Sequence, residues 1–237
     1  KSDLVERFDF REHYVADLEN VIDFDVIRSS GVRLGIDPLG GASVNYWPLM
    51  NEKYNLTIDV VRPQVDPTWS FMTIDHDGKI RMDPSSPYAM KGLVDSLNNG
   101  AWDKYDLVGG TDPDADRVGV ACADGDDYTL ITGNEMGVLL LDYICKMRLE
   151  RGEDLSHKVA VTTIVSSAMV DALAQEYGFE MRRCLTGFKY IGDIITGLSD
   201  AGEVDRFIFG FEESYGYLSG DHVRDKDAVN ASMLICQ

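Results

Sequence analysis

The stretch GGTDPDADRVGV (residues 109–120) places three aspartates at alternate positions and follows the third with an arginine. Like charges this close oppose one another unless a cation or a hydrogen-bond network offsets them. Alternate residues of an extended segment can point the same way, so Asp112, Asp114 and Asp116 can converge on one hard cation. Arg117 beside them suits a site where a metal and a phosphate meet, because a guanidinium binds phosphate oxygens in pairs.

Two plainer interpretations of this aspartate loop (residues 111–117) stay open. TDPD is a common turn sequence, since Asp and Pro both favour turns, and Arg117 can form a salt bridge with a neighbouring aspartate. An EF-hand calcium loop also begins with aspartates at positions one, three and five. It then needs Gly at six and Glu at twelve, where this chain has Arg117 and Ala123. The EF-hand interpretation is therefore excluded.

The sequence on both sides of the aspartate loop alternates strand and helix patterns. In the first half we predict strands at 32–37, 56–63 and 105–112, separated by helices at 40–54, which Pro48 interrupts, and 86–97. In the second half we predict a helix at 133–152, strands at 158–164, 179–185 and 206–214, and helices at 167–178 and 188–198. The fold class is therefore α/β, with two similar three-layer α/β/α domains that each contain a mainly parallel mixed sheet.

The repeated pattern divides the chain into two domains of similar size. We expect residues 1–126 to form the first, which carries the aspartate loop, and residues 127–237 to form the second, with the boundary in the turn ADGDDYT. Both domains end a third strand in an acidic loop, and ligands bind at the carboxyl ends of strands in such sheets. This shared position predicts one site between the two units.

Composition argues against several kinds of partner. A net charge of −19 argues against nucleic acid and anionic membrane surfaces, which would repel the chain, and no apolar run approaches the ~20 residues that span a bilayer. The four cysteines have no CxxC spacing and lie in apolar contexts, which indicates reduced thiols and a cytoplasmic protein. A charged start without Met, and an end inside a predicted amphipathic helix at 227–237, predict an excerpt of a longer chain.

Four motifs, in order, resemble those of the α-D-phosphohexomutases, the phosphoglucomutase and phosphomannomutase superfamily. They are GIDPLGGASVNYW at 35–47, TDPDADR at 111–117, LTGFKYIG at 185–192 and GFEESYGYLSGDHVRDKDA at 210–228. TDPDADR is similar to the family's metal loop, Asp-Gly-Asp-Gly/Ala-Asp-Arg, and the last motif resembles its Gly-Glu-Glu-Ser sugar loop. The likeness covers nearly the whole chain, which resembles domains two and three of the family's four.

The resemblance implies three groups of site residues. The metal ligands, for Mg²⁺ as cofactor, would be Asp112, Asp114 and Asp116. The catalytic groups, near the transferring phosphoryl group or the reacting hydroxyl, would be Arg117, Lys189 and Lys226. The substrate-binding residues would be Thr186, Gly187, Glu212, Ser214 and Arg224. The partners would be a small hexose phosphate and the missing N- and C-terminal domains of the same chain.

The reaction that the resemblance implies is that of phosphoglucomutase, which interconverts glucose 1-phosphate and glucose 6-phosphate through a phosphoserine enzyme and a bisphosphate. Alternatives are a phosphomannomutase, a phosphopentomutase, or a non-catalytic domain pair that binds a metal or a sugar phosphate. Two residues depart from the family pattern, since Pro113 and Phe211 stand where it has glycine. The family's Thr-x-Ser-His-Asn-Pro nucleophile motif does not occur in this sequence, so we expect the chain alone to be inactive as a mutase.

Two further features of these motifs have more than one interpretation. DPLGGAS (residues 37–43) opens a predicted helix, whose free N–H groups can bind an anion. Gly40 and Gly41 can equally make only a tight turn from strand to helix, which is the interpretation we favour. His222 lies in the last motif and is a candidate for helping proton transfer.

Overall fold

Two mixed β-sheets organise the computed structural model, which describes residues 2–97, 104–124 and 127–237. The first sheet contains β1 (Leu34–Asp37), β2 (Asp59–Val60), β3 (Leu107–Thr111), β4 (Val118–Asp124) and β5 (Asp127–Ile131). The second contains β6 (Val159–Thr163), β7 (Glu180–Cys184), β8 (Phe207–Glu212) and β9 (Gly216–Leu218). Their strand orders are β2-β1-β3-β4-β5 and β7-β6-β8-β9.

Helices connect and flank these strands. Those before the second sheet are α1 (Phe10–Asp17), α2 (Phe24–Ser30), α3 (Trp47–Tyr54), α4 (Pro87–Ser96) and α5 (Gly133–Glu150). Those that follow are α6 (Met169–Tyr177), α7 (Phe188–Asp200) and α8 (Ala228–Ile235). Short 3₁₀ helices occur at Leu18–Asn20, Ala42–Asn45 and Val204–Arg206. The predicted α/β class with two mixed sheets is confirmed.

Two predicted elements differ from the structure in their detail. Pro48 lies in the first turn of α3, where its missing N–H is not needed, so the predicted helix at 40–54 is divided into a 3₁₀ turn and α3. The predicted strand at 56–63 shrinks to the two residues of β2. Part of the reason is Asn51, whose side-chain amide accepts from the N–H of Ile58 at 2.9 Å and donates to its carbonyl at 2.8 Å. These bonds replace a strand partner for Ile58.

Both acidic loops are hairpin turns at the carboxyl end of a parallel strand. Strand β3 runs parallel to β1 and antiparallel to β4, and the aspartate loop joins β3 to β4. Strand β8 runs parallel to β6 and antiparallel to β9, and residues 212–216, here called the glutamate loop, join β8 to β9. The two sheets thus present their acidic loops from equivalent positions.

The two units meet directly at these loops. The N–H of Val118 donates to the carbonyl of Tyr215 at 3.1 Å, and the N–H of Ala228 donates to the carbonyl of Ala115 at 3.0 Å. Helix α8 packs against β9 of the second sheet and against β3 and β4 of the first. Its residues from Ala228 to Leu234 are all buried, so the helix predicted at the end of the sequence is not amphipathic but enclosed.

Strand β5 bears on where the first unit ends. It begins at Asp127, where we expected the second domain to begin, and pairs with β4 in the first sheet. Residues 125 and 126 of the expected boundary turn lie outside the described residues. The division at 126/127 stays a prediction about domains, but the first sheet extends to Ile131.

The four cysteines are free thiols, and the helices are those of a chain without a described membrane span. None of the helices in the described part of the chain has the length and apolar character that a membrane span requires. Cys145 and Cys236 are buried free thiols, and burial raises the pKa of each to about 12. Cys122 and Cys184 are half-buried free thiols whose pKa values are also raised by burial.

Candidate active site

The three aspartates of the aspartate loop converge as their spacing predicts. Asp112, Asp114 and Asp116 each offer a carboxylate oxygen, and these oxygens lie within 4.8 Å of one another. Asp112 is buried, Asp116 is half-buried and Asp114 is exposed. The turn requires Ala115 in the left-handed region, with φ of 61°. Three hard oxygen donors at this separation, one face open to solvent, fit Mg²⁺, which keeps several waters in its shell.

Charge in this cluster is unbalanced without a cation. Burial raises the pKa of Asp112 to about 8, and the neighbouring Asp116 and Asp114 carboxylates add to the rise. The bond from the N–H of Arg117 to Asp112 Oδ1 at 2.9 Å acts in the opposite direction but does not offset the rise. The N–H of Asp116 donates to the same oxygen at 3.0 Å. The site therefore favours a species that brings positive charge to Asp112.

The aspartate loop is supported from behind by the Gly-rich turn after β1. The N–H of Ala42 donates to the carbonyl of Pro113 at 2.7 Å, and the hydroxyls of Ser43 and Thr111 lie 3.0 Å apart. A Cβ on Gly41 would lie 2.5 Å from the Pro113 carbonyl oxygen, so only glycine allows this approach. The N–H of Gly41 itself donates to Pro38, which confirms the turn interpretation. This turn serves the site by positioning Pro113.

Arg117 is held between two carboxylates. Its Nη1 donates to Asp83, and its Nε lies 3.6 Å from Asp116 Oδ1. Arg117 therefore forms the salt bridge to a neighbouring aspartate that the plainer interpretation predicted, and its two ion pairs orient the guanidinium. Asp83 is a site residue that sequence analysis missed. It lies 34 residues before Arg117 in a segment with no helix or strand pattern, so no local signal could reveal it.

Lys226 reaches the aspartate loop from the second unit. Its Nζ lies 2.8 Å from Asp116 Oδ2 and 3.0 Å from Asp225 Oδ1, with only 9% of the side chain exposed. Burial alone would lower the pKa of this ammonium, but its bonds to Asp116 and Asp225 outweigh that effect and raise it. Asp112, Asp114, Asp116, Arg117 and Lys226 thus form one cluster.

The glutamate loop adds a buried carboxylate close to this cluster. Glu212 is 4% exposed, and its Oε1 accepts from the N–H of Gly187 at 2.7 Å. Gly187 has φ of 119°, a conformation that favours glycine. Ser214 is half-buried and Thr186 is exposed. Arg117 pairs in an isolated bridge with Gly216, which itself faces Glu212 across the β8–β9 hairpin.

Glu213 holds this loop in place and was also missed from the sequence. Its Oε2 accepts from Thr163 Oγ1 at 3.0 Å and from Ser166 Oγ at 3.2 Å. Glu213 is the first residue of the turn after β8, so this anchoring fixes the turn directly after Glu212. Phe211, the departure from the family pattern, is buried and would collide with a side chain on Gly137. Its ring faces the core.

Three predicted residues lie apart from the cluster in this structure. Lys189 is exposed, and its Nζ lies 4.9 Å above the ring of Tyr190. Arg224 is exposed and donates to the backbone carbonyls of Asp221 and Val223. His222 Nε2 lies 2.9 Å from Asp227 Oδ2, which ties it to the start of α8. Among the described residues, none of the three bonds to the aspartate triad.

A cavity of about 240 Å³ adjoins the cluster. Residues of both units line it, among them Tyr14, Ser43, Asp114 and Lys226. A larger cavity of about 640 Å³ lies between α2, the end of α5 and α8, and it contains none of the predicted site residues. Of these two cavities, only the smaller one is therefore in contact with the cluster.

Two family models match this chain, one over most of each sheet's residues, with β5 in neither model. Phosphoglucomutase/phosphomannomutase, alpha/beta/alpha domain II, matches residues 12–125, and domain III of the same family matches residues 132–237. The chain belongs to the phosphoglucomutase/phosphomannomutase family. Domain III begins at residue 132, directly after β5.

Relatives of this phosphoglucomutase/phosphomannomutase chain are longer than it is. The phosphoglucomutase of Komagataeibacter xylinus is 42% identical over 217 residues, which are 91% of this chain and 36% of that protein. A phosphoglucomutase/phosphomannomutase family protein of Burkholderia thailandensis has a TM-score of 0.70 at 15% identity, over 98% of this chain and 44% of that one. The N-acetylphosphoglucosamine mutase of Aspergillus fumigatus, solved with GlcNAc-6P and magnesium, has a TM-score of 0.60 at 17% identity, over 95% of this chain and 50% of that one. The chain spans 36% of the Komagataeibacter xylinus protein and 38% of the phosphoglucomutase of Staphylococcus aureus, which is 34% identical over 226 residues.

Proposed function

We propose that this chain is the central part of a phosphoglucomutase that interconverts glucose 1-phosphate and glucose 6-phosphate through a bisphosphate. The observation that carries the proposal is the pairing of Arg117 with Gly216, which brings the aspartate loop against the loop that contains Glu212. Arg117 and the three aspartates suit phosphoryl transfer, and the buried carboxylate of Glu212 suits sugar hydroxyls. Both sets therefore lie where the aspartate loop meets the glutamate loop. Relatives named phosphoglucomutase, at 42% and 34% identity, favour glucose over mannose or pentose phosphates.

The aspartate loop forms the phosphoryl-transfer side of the proposed site. Asp112, Asp114 and Asp116 hold Mg²⁺, which when bound supplies positive charge that offsets the charge of the transferring phosphoryl group. The magnesium in the mutase from A. fumigatus supports this assignment. Arg117 donates its remaining N–H groups to the phosphoryl oxygens while Asp83 orients it. The serine that carries the phosphoryl group in this family is contributed by sequence outside this chain.

The glutamate loop forms the sugar side. The reaction requires the hexose to bind in two orientations, with O1 and then O6 facing the phosphoryl group. Contacts that survive this turn go to hydroxyls near the pseudo-symmetry axis of the ring, which O3 and O4 satisfy. Glu212 accepts from these vicinal hydroxyls, and Ser214 completes the network with Thr186 and Gly187 lining the pocket.

The remaining basic residues of the proposed site come from the second unit. Lys226 supplies a positive charge beside Asp116. Lys189 and Arg224 lie apart in this structure and reach the substrate's distal phosphate only if their long side chains turn from Tyr190 and from the Asp221 carbonyl. We retain both as substrate contacts because each is long, exposed and flexible.

The test is an assay of the full-length enzyme that carries this chain. Conversion of glucose 1-phosphate, mannose 1-phosphate and ribose 1-phosphate is followed in separate reactions by ³¹P NMR, which distinguishes each substrate from its product. We expect Mg²⁺-dependent turnover that prefers glucose 1-phosphate and falls to background in Asp114→Asn. The 237-residue chain alone serves as the matched control and should show no turnover. Turnover by that chain alone, or a preference for mannose, contradicts the proposal.

A further inference from the structure

Lys226 belongs to the second unit, but its partner is one of the three proposed metal ligands in the first. Its Nζ lies 2.8 Å from Asp116 Oδ2 and 3.0 Å from Asp225 Oδ1. Because 9% of the side chain is exposed, solvent screens this ion pair less than it would a surface pair. The ammonium therefore neutralises Asp116 at close range.

The path of this side chain is built into the fold. Lys226 crosses Gly216, where any Cβ would collide with its Cδ and Cγ atoms. Its ammonium lies 5.5 Å from the ring centroid of Phe188, and the N–H of Ala228 two residues later is fixed on the aspartate loop by its bond to Ala115. The ammonium is thus directed to Asp116 by packing around the stem.

A carboxylate that accepts a charge-assisted bond from an ammonium is less available to a cation, and the two positive charges repel each other. We propose that Lys226 competes with the metal ion for Asp116, so that occupation of the aspartate triad releases the ammonium while Asp225 retains it beside the 240 Å³ cavity. This inference rests on the proposed metal site. Metal binding to the aspartate loop of the first unit would thus change the ion pairing of Lys226 in the second unit.

The direct test measures Mn²⁺ binding to the 237-residue chain by the loss of the free-ion electron paramagnetic resonance signal. Lys226→Met removes the charge but keeps most of the stem, and Lys226→Arg keeps the charge. Lys146→Met is the matched control, because it removes an exposed lysine of α5 whose partner is Asp142 and not the triad. We expect about tenfold tighter Mn²⁺ binding by Lys226→Met at low ionic strength, and wild-type affinity in the other two variants. The gain should shrink at high salt.

Each outcome has a defined meaning. Equal or weaker Mn²⁺ binding by a folded Lys226→Met variant overturns competition but leaves the metal site standing. A wild-type chain that binds no Mn²⁺ up to tens of millimolar overturns the metal site and the competition together. If Lys226→Met does not fold, Gly216→Ala displaces the same stem, and unchanged affinity in that variant also overturns the proposal.

A second measurement follows the ammonium itself. Acetic anhydride modifies free lysine amines, and peptide mass spectrometry separates Lys226 from Lys189 within one sample. We expect Mg²⁺ to raise the modification rate of Lys226 severalfold while that of Lys189 stays constant. A constant Lys226 rate in a chain that binds Mg²⁺ contradicts the release of the ammonium.

Discussion

Replacing Asp112 with asparagine tests the charge balance of the aspartate loop. Burial raises the pKa of this carboxyl from 3.8 to about 8, so its folded-state pKa is above its unfolded value. The stability that Asp112 contributes is then fully present below about pH 4, falls between pH 4 and 8, and is lost above pH 8. Asp112→Asn removes this charge, and we expect it to stabilise the metal-free chain at pH 9.

The magnitude follows from the shift and from the site. At about 1.4 kcal/mol per unit, a rise of about four units corresponds to roughly 6 kcal/mol at pH 9. The amide must itself be desolvated and the loop opens to solvent at Asp114, so we expect about 2–3 kcal/mol of this to appear as stabilisation. For a chain of this length that corresponds to a Tm higher by roughly 5–10 °C.

Thermal unfolding followed by circular dichroism, in EDTA and then in Mg²⁺, measures both effects of the substitution. Asp114→Asn is the matched control, because Asp114 is exposed in the same triad. Mg²⁺ at about ten times its Kd should raise the wild-type Tm through roughly 1.4 kcal/mol of binding linkage. Both variants should lose this increment, and Asp112→Asn should gain more metal-free stability than Asp114→Asn, because the Asp114 carboxylate is only a minor cause of the raised Asp112 pKa. An equal metal-free gain in Asp114→Asn, or no gain in Asp112→Asn at pH 9, would refute the reasoning.

Three further substitutions test other parts of the site. Glu212→Gln in the full-length enzyme should lower kcat/KM about 30- to 160-fold, because two charge-assisted bonds worth roughly 2–3 kcal/mol are weakened. A loss of roughly 2–3 kcal/mol in folding stability as well would instead indicate a structural role. Gly41→Ala should lower the Tm of the chain by several degrees and weaken Mg²⁺ binding, since its Cβ collides with the aspartate loop. Gly197→Ala is its control, because nothing lies within 4 Å of that added Cβ in α7, and helix propensity should raise stability by up to about 1 kcal/mol. Tyr14→Phe removes the bonds of 2.7 and 2.8 Å to Asp227. The free energy of unfolding, measured by chemical denaturation, should fall by about 1.5–3 kcal/mol. A loss below about 0.5 kcal/mol would show that this bond does not stabilise the contact between the units.

Elements with a strong apolar period could be predicted from the sequence, and those without one could not. Helix α5 buries eight residues along one face and begins with the capping box of Thr132 and Glu135. The apolar period and the capping residues therefore both indicate the same helix. Helix α1 buries only Val15 and lies in a charged segment, which leaves no apolar stripe to detect. Strand β9 has three residues, too few for an alternating pattern. Its place at the sheet edge is decided by pairing with β8.

The candidate site divides in the same way. The three aspartates could be found because their convergence depends on local spacing within one turn, whereas their ligand role and that of the other site residues stay predictions. Asp83, Glu213 and Tyr14 were missed because each acts on a partner distant in sequence, at separations of 34, 50 and 213 residues. No composition or period in a single sequence encodes such contacts. They become visible only when the sheets place the loops together.

The position of the two hairpin loops explains why the charges of this site are shared between units. Each loop follows the third strand of its own sheet, and the start of β4 bonds to the start of β9. The first unit therefore contributes an excess of carboxylates, while the second contributes Lys226, whose buried ammonium is balanced in part by Asp116. Each partner also has a counter-charge in its own unit, Asp225 for Lys226 and Arg117 for Asp116, and the largest apolar cluster of the described residues includes residues of both sheets. Separating the units would expose this shared apolar surface to water and break the Lys226–Asp116 pair, which couples the integrity of the fold to the charge balance of the site.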